Sequence, residues 1–339
     1  MSSVLGVDLG GTKVVVACLR GREMSDSVLE ATDRSASGAL IDQLVALVGR
    51  VRPDDLAAVG IGVPSVVEFE TGRVVSSVNI PLTDVPLRQV LGERLGVPVF
   101  VDNDATAAAL AEAHDMDLRL VARNLVMLTI GTGLGGGIVL GGRIYRGATG
   151  GAGEFGHTLI GMPVDGEAPV PAPGESFPQH GSLEYAAAGR GLDRLAAQAA
   201  SERPESPLGQ LRAKGMPVLG AEAVEAAQAG DPVAKDIVKI WAERVGIGIA
   251  NAINTFDPEE VVIGGGAARA GELLLEPARE IALGYVVPGL RGHANIRLAW
   301  HGVRAGVLGA ALLAAHEVEK SGGHVDGLPA VTAHEEASS

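Results

Sequence analysis

Three consecutive polar residues, Asp102, Asn103 and Asp104, stand between an apolar run and an alanine-rich stretch. The run PVFVDND (98–104) predicts a strand, and ATAAALAEA (105–113) predicts a helix because Ala, Leu and Glu favour helical backbone. A carboxylate at such a strand end could accept the proton of a hydroxyl group, and a neighbouring amide could bind another hydroxyl. The alternative is that Asp104 serves only as the N-cap of the helix.

The segment DLGGTK, which begins at Asp8, has the residue types of a phosphate-binding turn. Gly10 and Gly11 would let the backbone approach a phosphate without a Cβ clash. Thr12 and Lys13 could contact the phosphate oxygens, and Asp8 could hold hydrated Mg²⁺, which prefers few carboxylates and several waters. The same segment could also be an ordinary hairpin turn.

Two further glycine-rich turns follow in IGTGLGGG (130–137) and VVIGGGAARAGELL (261–274). The first contains G-x-G-x-x-G, but it leads into the hairpin pattern IVLGGRIY instead of the helix that a dinucleotide-binding turn requires. No G-x-x-x-x-G-K-[ST] motif occurs, which excludes the P-loop class. The second turn runs from strand to helix and could receive adenine and ribose. The candidate nucleotide contacts are Gly131, Thr132, Gly133, Gly264, Gly265 and Gly266.

The hydrophobic pattern predicts alternating strands and helices around these turns. Apolar runs predict strands, and spacings of three and four predict helices. The predicted strands are 4–9, 14–19, 56–64, 125–130 and 259–266, and the predicted helices include 39–51, two between 221 and 256, and 306–318. A Pro- and Gly-rich segment, 161–182, predicts a long loop.

The three glycine turns resemble the phosphate-1, phosphate-2 and adenosine motifs of the actin/hexokinase superfamily. Nearly the whole chain resembles the ROK family (repressor, open reading frame, kinase), through segments such as GIGVP, VDNDATAAALAE, GGAGEFGH, GSLEYAA and NTFDPEEVVIGGG. The resemblance implies an α/β fold of two actin/hexokinase-like (ribonuclease H-like) domains around a central cleft. The expected domains are 1–118 plus 303–320 and 119–302, and 321–339 is expected to be a mobile tail.

Residue roles follow from the same resemblance. Asp104 is expected to be the general base, and Asn103 is expected to bind a sugar hydroxyl. Asn79, Glu154, His157 and Glu184 match residues that contact the sugar ring. Glu184 could instead compensate a helix N-terminus, and His157 could be a structural histidine. ATP and Mg²⁺, the latter with Asp8, are the implied cofactors, and a homodimer is implied.

The sequence departs from the family at a zinc-binding segment. Many members carry C-x-C-G-x-x-G-C-x-E, whose thiolates bind structural zinc together with the matching histidine. Here Glu175, Phe177 and Ser182 stand at the cysteine positions. Structural zinc needs thiolate or imidazole ligands, so zinc is predicted to be absent. The loop would then be held by proline and apolar packing.

Composition narrows the function classes. The chain has 339 residues, a formal net charge of −14 and a single cysteine, Cys18. The acidic balance disfavours nucleic-acid binding and a basic polyphosphate groove. The start lacks a basic region followed by a long apolar run, so we expect a cytoplasmic protein without a membrane segment.

The expected function is ATP-dependent phosphorylation of a hexose, glucose or a close relative, at its primary hydroxyl. A ROK kinase for N-acetylmannosamine, fructose, allose or a cyclitol is the first alternative. A sugar-responsive regulator is disfavoured because no DNA-binding segment precedes the first strand. A sugar-binding module without catalysis is disfavoured by Asp8, Asn103 and Asp104.

Overall fold

The computed structural model describes residues 2–77, 79–161 and 174–325. Within them, contacts define two compact units. The first unit comprises Met1–Leu125, Gly137–Gly153 and Trp300–Ser339, and the second comprises Val126–Gly136 and Glu154–Ala299. Of the expected mobile tail, residues 326–339 lie outside the described residues. Residues 321–325 are described, and Val325 is fully buried.

A six-stranded mixed sheet organises the first unit. Its path is β3-β2-β1-β5-β8, and β4 also pairs with β2. β1 is antiparallel to β2 and parallel to β5, which is parallel to β8. The strands are β1 Ser3–Leu9, β2 Lys13–Arg20, β3 Glu23–Met24, β4 Val28–Ala31, β5 Leu56–Val63, β8 Val99–Asn103 and, in a separate ribbon, β6 Ser65–Glu68 and β7 Arg73–Ser77; the helices are α1 Ser37–Val51, α2 Leu87–Leu95 and α3 Asp104–Glu112.

A second sheet follows the same strand order, β11-β10-β9-β12-β13. β10 and β11 are antiparallel and β12 and β13 are parallel, like the corresponding pairs of the first sheet. The strands are β9 Leu125–Ile130, β10 Leu134–Leu140, β11 Arg143–Ile144, β12 Glu260–Gly264 and β13 Asn295–Leu298; the helices are α4 Leu183–Ala187, α5 Gly189–Glu202, α6 Pro207–Ala213, α7 Gly220–Gln228, α8 Pro232–Phe256 and α9 Glu272–Tyr285. The last helix, α10 Ala305–Lys320, belongs to the first unit.

The segment 137–153 belongs to the first unit. From the sequence, we expected it in the C-terminal domain, residues 119–302. Close packing against α3 explains the grouping. A Cβ built on Gly137 would lie 2.6 Å from Ala105 O and 2.6 Å from Ala109 Cβ. The C-terminal half of β10 therefore lies against the backbone of α3.

Glycines allow α10 to lie directly on the first sheet. A Cβ at Gly6 would lie 2.0 Å from Val307 O, and one at Gly60 would lie 1.8 Å from Ala310 O. The residues beside Gly6 point to the opposite face of the sheet, where Leu5 and Val7 join the apolar core formed with α1 and α2. The sheet therefore has an apolar core on one face and a glycine-lined helix contact on the other.

The predicted elements that carry strong apolar runs are present, with ends that differ by a few residues. Those that the pattern analysis did not predict include β13, α5 and α6. α5 buries mainly small residues, Gly191, Ala196, Ala199 and Ala200, together with Leu192. Apart from Leu192 these residues have small side chains or none, so α5 contains no apolar run that would mark it in the sequence.

In the part of the chain that the structure describes, no helix has the length and apolar character that crossing a membrane requires.

Three histidines gather where α3 ends. The rings of His114 and His316 lie 5.7 Å apart. His114 Nδ1 donates to Leu110 O at 2.8 Å, and His301 Nε2 donates to His114 O at 2.9 Å. Burial lowers the pKa of His316 to about 3, with smaller contributions from His114 and Arg143, and burial also lowers the pKa of His114. Both rings are therefore neutral near pH 7.

Replacing Gly60 with Ala should destabilise the first unit by about 3 kcal/mol, because the new methyl group would overlap the backbone of α10. Gly49→Ala is the matched control, since Gly49 lies in α1 with open space around it and should gain up to about 1 kcal/mol of helix stability. Urea unfolding of the two variants checks both signs. Equal stability of Gly60→Ala and the wild-type protein would contradict the close packing of α10.

Acid should destabilise the fold through His316. Its folded-state pKa of about 3 lies below its ordinary value of 6.5, so the unfolded chain binds more protons between these values and stability falls as pH falls. The loss should be about 2 kcal/mol between pH 6.5 and about pH 5, at 1.36 kcal/mol per unit. His316→Phe should flatten that part of the profile, measured by urea unfolding at each pH. A profile as steep as that of the wild type would contradict this assignment.

Candidate functional site

The polar triplet at the end of β8 lies at the carboxyl edge of the first sheet. The strand register places Asp8 beside Gly62, and Gly62 beside Asp102, across three parallel strands. A Cβ at Gly62 would lie 3.2 Å from Asp104 Cα. Glycine at this position of β5 therefore provides the space for the backbone that carries Asp104.

Asn103, and not Asp104, is the N-cap of α3. Asn103 Oδ1 accepts a hydrogen bond from Thr106 N at 3.1 Å, and Asn103 Nδ2 donates to Ser65 O at 3.4 Å. Asp104 is the first residue of the helix, and its Oδ1 accepts from the adjacent Ala105 N at 2.8 Å. The interpretation of Asp104 as only the N-cap of the helix is therefore wrong. The side-chain oxygen of Asn103 makes the capping hydrogen bond instead.

Arg146 is a partner that sequence reasoning missed. Its Nε donates to Asp102 Oδ2 at 2.7 Å, and its guanidinium carbon lies 3.4 Å from the centre of the Phe69 ring. The Asp102 side chain is buried, with 3% of its surface exposed, and it also accepts a hydrogen bond from Asn103 N at 2.9 Å. Burial raises the pKa of Asp102, and Arg146 opposes that shift. The ion pair holds the strand end immediately before Asp104.

The DLGGTK turn closes through a hydrogen bond from Gly10 N to Lys13 O at 2.9 Å. Asp8 lies against the first turn of α10, where a Cβ at Gly306 would come within 2.6 Å of Asp8 Cγ. Burial raises the pKa of the Asp8 carboxyl, and the charge of Lys13 opposes the shift. Gly11 contacts Asn79, since its Cβ would lie 3.1 Å from Asn79 Cβ. The first unit thus brings Asn79 to the proposed phosphate turn.

The second unit brings the other two glycine turns together. A Cβ at Gly265, whose φ is +78°, would lie 2.5 Å from Ile130 O at the end of β9. Gly189 N donates to Gly131 O at 2.8 Å. The two turns border a cavity of ≈ 650 Å³, whose lining includes Gly131, Thr132, Gly189, Arg190, Trp241 and Gly266.

Glu184 lies beside the glycine turn of residues 131–133. Its Oε2 accepts from Leu134 N at 2.8 Å, and Oε1 forms no hydrogen bond to the described residues. Glu154 and His157 form a pair with 3.6 Å between Oε2 and Nε2. Gly156, which lies between them in sequence, packs on Leu134 O and Glu184 Cβ. The second unit therefore groups Glu154, His157 and Glu184, three of the six residues that were expected to contact a sugar.

Hydrogen bonds hold the described part of the loop before α4. Gln179 Oε1 accepts from Gly174 N at 2.6 Å, and its Nε2 donates to Gly174 O at 2.9 Å. Ser182, at a cysteine position of the zinc segment, is fully buried, and its hydroxyl caps α4 by accepting from Tyr185 N. Phe177 is 71% exposed and contacts the His157 ring by its edge. Hydrogen bonds and this one aromatic contact therefore hold the described part of the loop, and the expectation of proline and apolar packing stays a prediction. Residues 162–173 of the predicted loop lie outside the described residues.

Among the described residues, no group of three or more His, Cys, Asp or Glu side chains has an arrangement that could hold a metal ion. Asp8 offers a hard carboxylate oxygen next to the DLGGTK turn. This suits an ion that arrives with a nucleotide and keeps most of its other ligands as water and phosphate.

Two sheets of one strand order, each with a glycine turn after its first strand, define an actin/hexokinase-like α/β protein. The chain belongs to the ROK family, whose model matches residues 4–317. It is 37% identical over 317 residues to a glucokinase of Halalkalibacterium halodurans, covering 90% of this chain and 92% of the relative.

Solved structures agree with this assignment. A ROK family glucokinase from Streptomyces griseus, in complex with glucose and AMPPNP, has a TM-score of 0.76 and 33% identity, covering 92% of this chain and 99% of that one. A ROK hexokinase from Thermus thermophilus has a TM-score of 0.73 and 36% identity, covering 94% and 99% of the two chains.

The protein should remain active when a zinc-selective chelator is added, provided that Mg²⁺ is supplied. The physical reason is that Glu175, Phe177 and Ser182 cannot replace three thiolates, and hydrogen bonds of Gln179 and Ser182 already hold the described loop. Elemental analysis of the dialysed protein and the rate of sugar phosphorylation with chelator are the measurements. Stoichiometric zinc together with activity lost on stripping it would contradict the prediction.

Proposed function

We propose that this chain is an ATP-dependent sugar kinase that phosphorylates a hexose, glucose or a close relative, at its primary hydroxyl. Relatives named glucokinase that align over nine-tenths of the chain support the reaction class, as does the similar structure solved with glucose and AMPPNP. The observation that carries the residue assignment is that Asp104 begins α3 at the carboxyl edge of the first sheet, beside Gly62, while Asn103 supplies the N-cap of the helix.

Asp104 is the general base in this proposal. Its carboxylate accepts the proton of the sugar's primary hydroxyl while the hydroxyl oxygen bonds to the γ-phosphorus of ATP. The bond from that phosphorus to the β–γ bridging oxygen breaks, and ADP leaves with the electron pair. Helix α3 holds Asp104 in its first turn, where the helix dipole favours the ionised carboxylate.

The Oδ1 atom of Asn103 already accepts the hydrogen bond that caps α3. Its Nδ2 forms only a long hydrogen bond to Ser65 O, which a sugar hydroxyl can replace. Its role toward the sugar is therefore as a donor. Arg146 acts as a positioning residue, since it fixes Asp102 and through it the strand end.

The first unit binds the nucleotide phosphates through the turn Gly10, Gly11, Thr12 and Lys13. Thr12 and Lys13 have exposed side chains, as phosphate contacts require. Asp8 would hold the Mg²⁺ of the nucleotide, whose chemistry when bound is to neutralise charge on the transferring phosphates. The raised pKa of Asp8 reflects a buried carboxylate whose ionised form a cation would favour.

The second unit binds the nucleoside and the remaining sugar hydroxyls. The cavity between the turns of Gly131–Gly133 and Gly264–Gly266 suits adenine and ribose, because it joins apolar walls to a few polar groups such as Arg190 and Gln228. Glu184 accepts a hydrogen bond from a sugar hydroxyl through Oε1, and Glu154 and His157 form hydrogen bonds to hydroxyls of the same sugar ring.

Asp104→Asn should lower kcat about 100- to 10,000-fold, since a general base contributes this much. Asparagine keeps the oxygen that accepts from Ala105 N, so unfolding and nucleotide affinity should change little. The matched control is Asp117→Asn, which removes a carboxylate from an exposed pair with Arg119 and should leave kcat unchanged. Steady-state kinetics and calorimetric binding of AMPPNP are the measurements. A kcat of Asp104→Asn within a few-fold of the wild type would overturn the role of Asp104.

A further inference from the structure

A second cavity in the second unit carries two arginines on its wall. It has a volume of ≈ 470 Å³ and lies between the C-terminal end of α4, α5, α8 and the chain at residues 180–181. The basic side chains that line it are Arg194, Arg244 and His180.

The cavity proposed for adenine and ribose, called the nucleoside cavity below, and this second cavity lie on different faces of α5. Gly191, Arg194, Leu195 and Gln198 line the second cavity and follow the spacing i, i+3, i+4, i+7 of one helix face. Gly189, Arg190, Leu192 and Asp193 line the nucleoside cavity from the other side. The two cavities are therefore distinct sites on opposite sides of one helix.

The described lining of the second cavity carries basic side chains without an acidic partner. None of the described residues that line it is Asp or Glu, and within the described part of the chain neither Arg194 nor Arg244 forms an ion pair. Burial lowers the pKa of Arg244, and the neighbouring charge of Arg194 adds to that shift. Two like charges are thus held together in a chain whose net charge is −14.

The two guanidinium groups are oriented by α4. Arg194 donates to Tyr185 O and stacks on the Tyr185 ring, with 4.0 Å from its guanidinium carbon to the ring centre. Arg244 Nη1 donates to Ala186 O at 3.3 Å. Trp241 Nε1 donates to the next carbonyl, Ala187 O, at 2.7 Å. These bonds satisfy three successive carbonyls at the end of a short helix.

Capping these carbonyls leaves most of the donor capacity unused. A guanidinium has five N–H donors in a planar fork, and toward the described residues each of the two arginines uses one of them. The fixed orientation lowers the conformational entropy lost when a ligand binds, and the fork matches the oxygen geometry of phosphate groups.

We propose that Arg194 and Arg244 form a second anion site, which takes a small phosphate-bearing molecule and is separate from the nucleotide turns. Repulsion between the two cations decreases when a dianion lies between them, which makes binding favourable. The site is lined by Tyr185 and Ala186 of α4. The same helix carries Glu184, a residue of the proposed sugar site, so both sites share α4. The binding itself does not depend on the proposed kinase function.

Isothermal titration of the full chain with pyrophosphate, without Mg²⁺, tests the site. The wild-type protein should bind, and R194Q/R244Q should bind at least about tenfold more weakly, since hydrogen bonds to charged groups are worth at least this much. R203Q/R212Q removes the same charge from exposed positions and should bind like the wild type. Lys13→Gln, which alters the nucleotide turn, should also keep this binding.

Four results would overturn the proposal: no binding to the wild type, equal binding to R194Q/R244Q, loss in R203Q/R212Q, or loss in Lys13→Gln. If R194Q/R244Q does not fold, as judged by circular dichroism, R194K/R244K decides the question. It keeps both charges but lacks the planar fork, so its affinity should fall several-fold, and an unchanged affinity would refute the arginine assignment.

Discussion

The direct contact of α10 with the first sheet determines where the carboxylates of Asp8 and Asp104 lie. Gly6 and Gly60 leave no side chains between the strands and the helix, so the carbonyls of Val307 and Ala310 lie where Cβ atoms would be. The first turn of α10 then lies on Asp8 through Gly306. Gly309 brings the same helix within 1.8 Å, measured from its would-be Cβ, of Ala107 O in α3. One helix thus fixes both the strand that ends at Asp8 and the helix that begins at Asp104.

Close backbone approach through glycine also organises the second unit. Gly265 lies on the end of β9, Gly189 donates to Gly131, and Gly156 packs on Leu134. Glu184 bonds Leu134 N in the same place. The glycine turns proposed for the nucleotide and the polar residues proposed for the sugar are therefore parts of one packed structure, and a change in α4 bears on both.

Apolar runs predicted the elements that are buried along their length. These elements are β1, β5, β9 and α10. A continuous run of Val, Leu, Ile or Ala is typical of an element that is covered by other parts of the protein on both of its faces. β13 has four residues, of which two are buried, and this is too short for a pattern. α5 escaped prediction because its buried face is mostly Ala and Gly.

The site was predictable in residue type and less so in local detail. Asn103 and Asp104 are both good N-caps and are adjacent, so sequence could not decide which one caps α3. Arg146 is 44 positions from its partner Asp102, and no spacing rule joins them. The grouping of Glu154, His157 and Glu184 came from family resemblance, because only tertiary packing through Gly156 brings them together.

The central claim is that the chain transfers the γ-phosphoryl group of ATP to a primary sugar hydroxyl. The direct measurement is phosphorus–proton correlated NMR of the products formed from ATP, Mg²⁺ and a panel of sugars, with GTP and polyphosphate as alternative donors. We expect ATP and glucose, or a close relative, to give ADP and an equal amount of a sugar phosphorylated on its primary oxygen. Phosphate release from ATP without any phosphorylated sugar, or no turnover with any hexose, would contradict it.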